Sequence, residues 1–412
     1  MTKPTIAFIC RTYLDHLGSI KQGGAERVIK HMTEYFYNRG YSVTVYQLGA
    51  SDFTTTVNGV DIIQVKVDNY RRLVKMAIDT NSSMVIFQDS SMVSKPYFRN
   101  TPLLIGIHHG VYWDYALELP WKSWYPRAWI PSVLYSIILH LFRRLAKRRE
   151  LRGVRRADLT IAMDTSLLRI IQSDYPSLRH KLVRIMPFSD LSNGNNSVGR
   201  KALIPLTTDS QVILVPRHYS LSAGLFWLKD IALELDAIVP NKNWRIVVAG
   251  SLKSDGRKME HLVHALAGGD DPRYRHISNR LVFLGELNRI ELREQLSTAF
   301  LVCIPTFAYE GACLAAVEAL SMGTPVVATN IGGLNDTIVP GFNGLLSRPC
   351  PIEIAQTLAR LLTDFGLYNR IVANVQLTSG QFDLAHWYVE LDHVFGGFRD
   401  DLWRSFDSEG ES

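Results

Sequence analysis

Cysteine is scarce in this chain, four among 412 residues. Cys10, Cys303, Cys313 and Cys350 lie far apart, with no paired spacing for a zinc site or a disulfide framework. Three of them fall in or beside predicted strands and helices, which reads as small buried apolar side chains in a reducing compartment. Long apolar runs are lacking too. The longest candidate, Ile130 to Phe142, falls short of the roughly 20 residues that cross a bilayer, and Pro131 and His140 interrupt it. No N-terminal stretch has the basic, apolar, small-residue order of a signal peptide, so a cytoplasmic protein is expected. No Asp-x-Asp occurs, so no metal clamp built on that motif is expected. Internal repeats and low-complexity tracts are missing, apart from an alternation of strands and helices.

The hydrophobic fraction of 47% and charged fraction of 20% are those of a soluble globular protein. The length suits two or three domains, each able to bury its own core. Charge is divided unevenly. Residues 1–190 carry 26 Lys+Arg against 15 Asp+Glu, a balance of +11; residues 191–412 carry 19 against 24, a balance of −5. The first half is expected to face something anionic.

The chain is organised around Ile304 to Asp336. Leu301 to Ile304 is an apolar run ended by Pro305, as in a buried parallel strand. Ala312 to Met322 is a predicted helix, rich in Ala and Leu and stopped by Gly323 and Pro325. Pro325 to Ala328 is a second strand. Glu310 sits where the loop becomes the helix, and Glu318 two turns in. Backbone N–H groups and the helix dipole favour an anion there. Taken singly, each acid reads as a helix cap or an exposed helical Glu.

The run as a whole resembles the signature of glycosyltransferase family 4: two glutamates separated by seven residues, then Gly323-Thr-Pro-Val-Val-Ala328 and Gly332-Gly333-x-x-acid. That resemblance implies the GT-B fold: two Rossmann-like doubly wound α/β domains facing across a cleft, with a C-terminal helix crossing back. It implies a retaining hexosyltransferase that takes a sugar from a nucleotide-diphosphate sugar, with no metal and no further cofactor. By resemblance, Glu310 contacts the transferred sugar and Glu318 accepts hydrogen bonds from the ribose. The backbone of Gly311, Ala312, Cys313, Leu314 and Ala315 binds sugar hydroxyls and diphosphate. The family usually has Phe-Gly in place of Ala312-Cys313, and Glu in place of Asp336.

Earlier in the chain, Ile6 to Cys10 is a predicted strand, and Gly23-Gly24-Ala25-Glu26-Arg27-Val28 opens an amphipathic helix ended by Gly40. Alone, the glycine pair reads equally as a tight turn. In the family, a similar motif lines the cleft near the donor diphosphate. Leu103 to Ile107 is a strand running into His108-His109-Gly110. A histidine at such a strand end lies at the crevice where α/β sheets bind ligands. The family has a sugar-contacting histidine here, a role carried to His109, with His108 read as structural. Trp113 to Trp129 is aromatic, and Arg143 to Arg156 carries eight Lys and Arg. Two readings of 113–156 stand: a helix with a solvated basic face, or peripheral contact with an anionic membrane surface at the inner face of the plasma membrane. No nucleic-acid-reading motif accompanies it.

In the second half, Gln211 to Val215 is a strand leading to Pro216-Arg217-His218. In the family an Arg here and a Lys several residues on contact the donor diphosphate. Arg217 fits the first position. Ser222-Ala223-Gly224 stands where the Lys is expected, and Lys253 is the candidate substitute. The domains are therefore expected at 1–191 (acceptor side), 192–208 (polar linker), 209–380 (donor side) and 381–412 (crossover helix and tail), with Trp387 packing. The reaction fits polysaccharide or glycolipid synthesis, with a carbohydrate or lipid-linked acceptor. Three competitors remain: another GT-B nucleotide-sugar enzyme such as an epimerase, a donor-binding protein without turnover, and a nucleic-acid or membrane-binding module using the basic half.

Overall fold

The structure, a computed structural model, describes residues 4–15, 18–21, 23–66, 70–79, 82–93, 102–111, 132–191, 211–219, 223–250 and 264–408. The aromatic stretch 113–129, the linker 192–208, Ser222 and Lys253 lie outside these residues. The chain forms two compact units. The first comprises 1–113, 140–185 and 388–412, the second 114–139 and 186–387.

The second unit is a six-stranded sheet ordered β11-β10-β9-β12-β13-β14, with every pair parallel. Its strands are β9 (Gln211–Pro216), β10 (Trp244–Ala249), β11 (Leu281–Gly285), β12 (Leu301–Ile304), β13 (Val326–Thr329) and β14 (Gly344–Ser347). All four residues of β12 and of β13 are buried. Such continuous apolar runs are what parallel strands covered on both faces require. The helix Pro351–Thr363 packs Ile354, Ala355, Leu358, Leu361 and Leu362 into this core. Phe300 and Tyr368 stack with centroids 4.0 Å apart, and the tyrosine hydroxyl donates to the Phe300 carbonyl at 2.9 Å. Trp387 is buried and lies 4.3 Å from the Phe188 ring.

Strand order reverses between β9 and β12. In open α/β sheets this switch point parts the loops at the carboxyl ends and leaves a crevice for ligands. Arg217, directly after β9, and Glu310, six residues after the end of β12, stand on the two loops concerned.

The first unit is an eight-stranded sheet, β3-β4-β2-β1-β5-β6-β7-β8, parallel except for β3 (Phe53–Val57) against β4 (Val60–Lys66). That hairpin turns at Asn58-Gly59, both with positive φ (52° and 79°), the geometry that Asn-Gly favours. The remaining strands are β1 (Thr5–Cys10), β2 (Ser42–Gly49), β5 (Met84–Phe87), β6 (Leu103–His108), β7 (Leu159–Ala162) and β8 (Leu182–Arg184). From Tyr388 on, the last helix, Leu384–Ser408, counts with this unit; its Asp392 accepts from the Tyr35 hydroxyl at 2.8 Å and from Arg39 at 2.7 Å.

The helix Ser132–Arg156 touches the turn Ser90–Met92 through Gly153, where a Cβ would stand 1.9 Å from the Ser90 carbonyl oxygen. This approach brings Glu150 inward. Its carboxylate accepts from the Ser90 hydroxyl and lies 2.9 Å from His108 Nδ1, with both His108 and Glu150 buried. Burial alone pulls the His108 pKa down, but the Glu150 hydrogen bond and charge outweigh it and hold it above the usual imidazole range. A raised folded-state pKa stabilises fully below the ordinary value of about 6.5 and fades as pH rises through the folded value. Wild type should therefore exceed His108→Gln in thermal midpoint below about pH 6.5, with the gap narrowing as pH rises through the folded-state value. A gap independent of pH would show that the imidazole is neutral throughout.

Candidate active site

The site in the second unit is assembled from four consecutive strand ends. Three glycines let their loops close on one another. At Gly224, which follows β9 with φ +76°, a Cβ would meet the Pro305 carbonyl oxygen at 1.8 Å. At Gly250, after β10, it would meet the Arg217 carbonyl at 1.9 Å. At Gly332, after β13 with φ +54°, it would meet the Glu310 carbonyl at 1.9 Å. The Gly333 amide donates to that same Glu310 carbonyl at 2.8 Å. The loops bearing Arg217 and Glu310 are thus held from both sides by close backbone contacts.

Arg217 and Glu310 meet fork to fork. Nη2 donates to Oε2 at 2.5 Å and Nη1 to Oε1 at 3.1 Å, with each side chain less than a fifth exposed. Charge-assisted pairs of this bidentate kind are directionally fixed. Nη1 also lies 3.4 Å from Cys313 Sγ. Burial, then the charge of Glu310, pushes the Cys313 thiol up to about 12. It is a neutral thiol at physiological pH, not a reactive thiolate.

The helix begins four residues past Glu310, at Leu314, and runs to Ser321; Cys313 stands at its N-cap and its side chain makes no capping hydrogen bond. The first-turn amides of Leu314 and Ala315 thereby keep the anion-binding character of an uncapped helix start. Gly311 and Ala312 complete the loop between Glu310 and Cys313.

Glu318 is buried, and the structure gives it partners that sequence spacing does not reveal. Arg289 Nη1 donates to its Oε1 at 2.7 Å, and Nη2 of the same guanidinium donates to Asp190. Arg289 opens the helix Arg289–Thr298, which is held by a capping box of Asn288 and Glu291. The three residues are 99 and 29 positions apart, too far for any local pattern to betray them. Removing the arginine leaves two largely buried carboxylates facing each other. Arg289→Met should destabilise the chain by about 3 kcal/mol, read from urea unfolding, and adding Glu318→Gln should recover part of the loss. No loss for the single variant would show the triad to be inert.

In the first unit, Gly23 is the N-cap of the helix Gly24–Asn38 and Gly24 its first residue; no side chain caps it. His109 follows β6, and its Nε2 lies 2.8 Å from the Gln88 carbonyl oxygen. A carbonyl only accepts, so Nε2 carries the hydrogen, and in the neutral ring Nδ1 is left as an acceptor. Burial is the leading cause that holds the His109 pKa below the usual imidazole range, which keeps the ring neutral at pH 7. Tyr112 to Asp114 lie outside the described residues. Among the described residues, no three His, Cys, Asp or Glu side chains gather as a metal site would need, and no helix is long and apolar enough to cross a membrane.

Residues 210–364 match the family model described as glycosyl transferases group 1. An uncharacterized glycosyltransferase of Methanocaldococcus jannaschii is 31% identical over 175 residues, 42% of this chain and 41% of the relative's own length. A D-inositol 3-phosphate glycosyltransferase of Corynebacterium urealyticum is 25% identical over 85% of each chain. Among solved structures, the sucrose-phosphate synthase from Thermosynechococcus elongatus superposes with a TM-score of 0.69 at 15% identity, covering 97% of this chain and all of that one. HepE of Anabaena, solved with UDP and glucose, gives 0.65 at 17% identity, covering 96% of this chain and all of that one. The fold is GT-B, and the chain is related to glycosyltransferases, those named for D-inositol 3-phosphate among them.

Proposed function

We propose that this chain is a hexosyltransferase that moves a sugar from a nucleotide-diphosphate sugar to an acceptor hydroxyl with retention, as in glycosyltransferase family 4. One observation carries the reading: Arg217 and Glu310 stand fork to fork on the two loops flanking the strand-order switch. Breaking a sugar–phosphate bond places negative charge on the leaving diphosphate. Arg217 and the amides of Leu314 and Ala315 offer it preorganised donors, each worth about 2.7–4 kcal/mol in comparable sites. In the donor-free state Glu310 neutralises the guanidinium. When diphosphate takes over the guanidinium, the carboxylate is released to the sugar.

Glu318, oriented by Arg289, accepts the ribose hydroxyls in this reading. From the first unit, His109 presents a neutral Nδ1 acceptor to the sugar, and Gly23 and Gly24 give backbone room for phosphate. The acceptor is a carbohydrate or a lipid-linked glycan, and the protein works in the cytoplasm, at the membrane's inner face. Exposed Leu141, Phe142 and Leu145 beside arginines support that location.

The test is a panel of nucleotide sugars screened for thermal stabilisation, followed by nucleoside-diphosphate release with and without acceptors. Stabilisation by one donor and acceptor-dependent release are expected. Stabilisation with background release throughout would identify a donor-binding protein without turnover.

A further inference from the structure

The first unit holds a second strongly basic arrangement, apart from the residues assigned to the donor site. A cavity of about 650 Å³ is lined by Tyr70, Met92, Arg148, Arg149, Arg152 and Arg156. All four arginines come from one helix, at spacings that keep them on a single face. Two other basic residues of that helix are engaged elsewhere: Lys147 pairs with Asp174 at 3.2 Å, and Arg155 lies 5.6 Å from the Tyr175 ring. Glu150, the sole acid between Ser132 and Arg156, is turned inward to His108 and Ser90. Among the described residues, the four cavity arginines have no carboxylate within ion-pair distance. Like charges so close on one helix face repel one another, and guanidinium forks match phosphate oxygens.

The same face continues toward the helix start as Leu145 and Leu141, 63% and 52% exposed, with Phe142 beside them at 51%. Leu145 is itself part of the cavity lining. On this one face, charge and apolar surface are therefore segregated along the helix axis, with arginines toward its end and exposed leucines toward its start. A soluble polyphosphate uses only the first; a phosphorylated lipid uses both.

We propose that this cavity binds the phosphate or diphosphate headgroup of a lipid, with its hydrocarbon chain along Leu145 and Leu141. The inference rests on the transferase reading only in taking that lipid to be the acceptor's carrier. Binding itself is independent of catalysis.

Calorimetric titration of the full chain with farnesyl diphosphate, inorganic diphosphate and farnesol separates the sources. Farnesyl diphosphate is expected to bind about tenfold more tightly than either part alone. Arg149→Gln combined with Arg152→Gln should weaken it by about tenfold or more, while leaving the stabilisation by nucleotide sugar unchanged and the thermal midpoint no lower than that of wild type. Equal affinity for inorganic diphosphate would mean a soluble polyphosphate site and overturn the proposal. So would affinity untouched by the double substitution, which would place the ligand in the donor site, or displacement by a short single-stranded RNA. If farnesyl diphosphate binds as expected but no donor is turned over, only the transferase reading falls. If transfer proceeds and farnesyl diphosphate does not bind, only the lipid site falls.

Discussion

Glu310→Gln should cut transfer by a factor on the order of 10³ while leaving the fold intact, the size expected when one preorganised polar group is lost from a transition state. The carboxylate's two oxygens are each engaged by Arg217. The substitution keeps the side chain's shape and removes its charge. The guanidinium is then freed toward the donor's diphosphate, so donor affinity should hold or rise while turnover collapses. Arg217→Ala should do the reverse to binding, because the unpaired Glu310 carboxylate would then repel the diphosphate. That opposition of sign is the informative part. A residue serving only as a structural ion-pair partner would give the same loss of stability from either side and no split between donor affinity and kcat. Steady-state kinetics with varied donor, alongside thermal midpoints of both variants, read it directly.

The second large effect is expected from a single methyl group. Gly332 and Gly341 both have positive φ, +54° and +78°. An alanine at either site pays roughly 1–2 kcal/mol for the left-handed backbone. They differ in surroundings. The Cβ at position 332 would meet the Glu310 carbonyl oxygen at 1.9 Å and its carbon at 3.0 Å, whereas nothing lies within 4 Å at position 341. Backbone cannot step aside as a side chain does, so Gly332→Ala must drive the loop after β13 away from the loop that carries Glu310. The hydrogen bond from Gly333 to Glu310 strains with it. Gly332→Ala should lose activity on the scale of Glu310→Gln and unfold at a clearly lower temperature than Gly341→Ala, which should keep nearly full activity. Matching losses in both would mean that left-handed backbone, not contact with Glu310, sets the effect.

How much of this was legible beforehand follows from how far apart the interacting residues lie. The strands β9 and β12 are apolar runs ended by proline, β13 is an apolar run opened by Pro325, and the helix near Glu318 is an Ala/Leu segment with a glycine stop. Local composition specifies both. Glu310 and Arg217 emerge through motif resemblance, and their direct pairing emerges only in three dimensions, 93 residues apart. Arg289 and Asp190 carry no local mark. Neither does Glu150, whose place in a run of arginines suggests a solvated face although it is buried against His108. Periodicity cannot show which residue of a charged helix turns inward, because Gly153 decides it by allowing close approach. The Asn58-Gly59 hairpin, in contrast, has a strong turn signal, hidden by the surrounding alternation of parallel strands and helices. The glycines at strand ends were visible as turn formers, but which loop each one admits is a property of the sheet order.

The most direct measurement is a crystal structure of the chain soaked with the nucleotide sugar that stabilises it most. The diphosphate is expected within hydrogen-bond distance of Arg217 and the Leu314 and Ala315 amides, with Glu310 turned from the guanidinium to the sugar. Clear density for the donor elsewhere, with the Arg217–Glu310 fork still closed, would contradict the assignment.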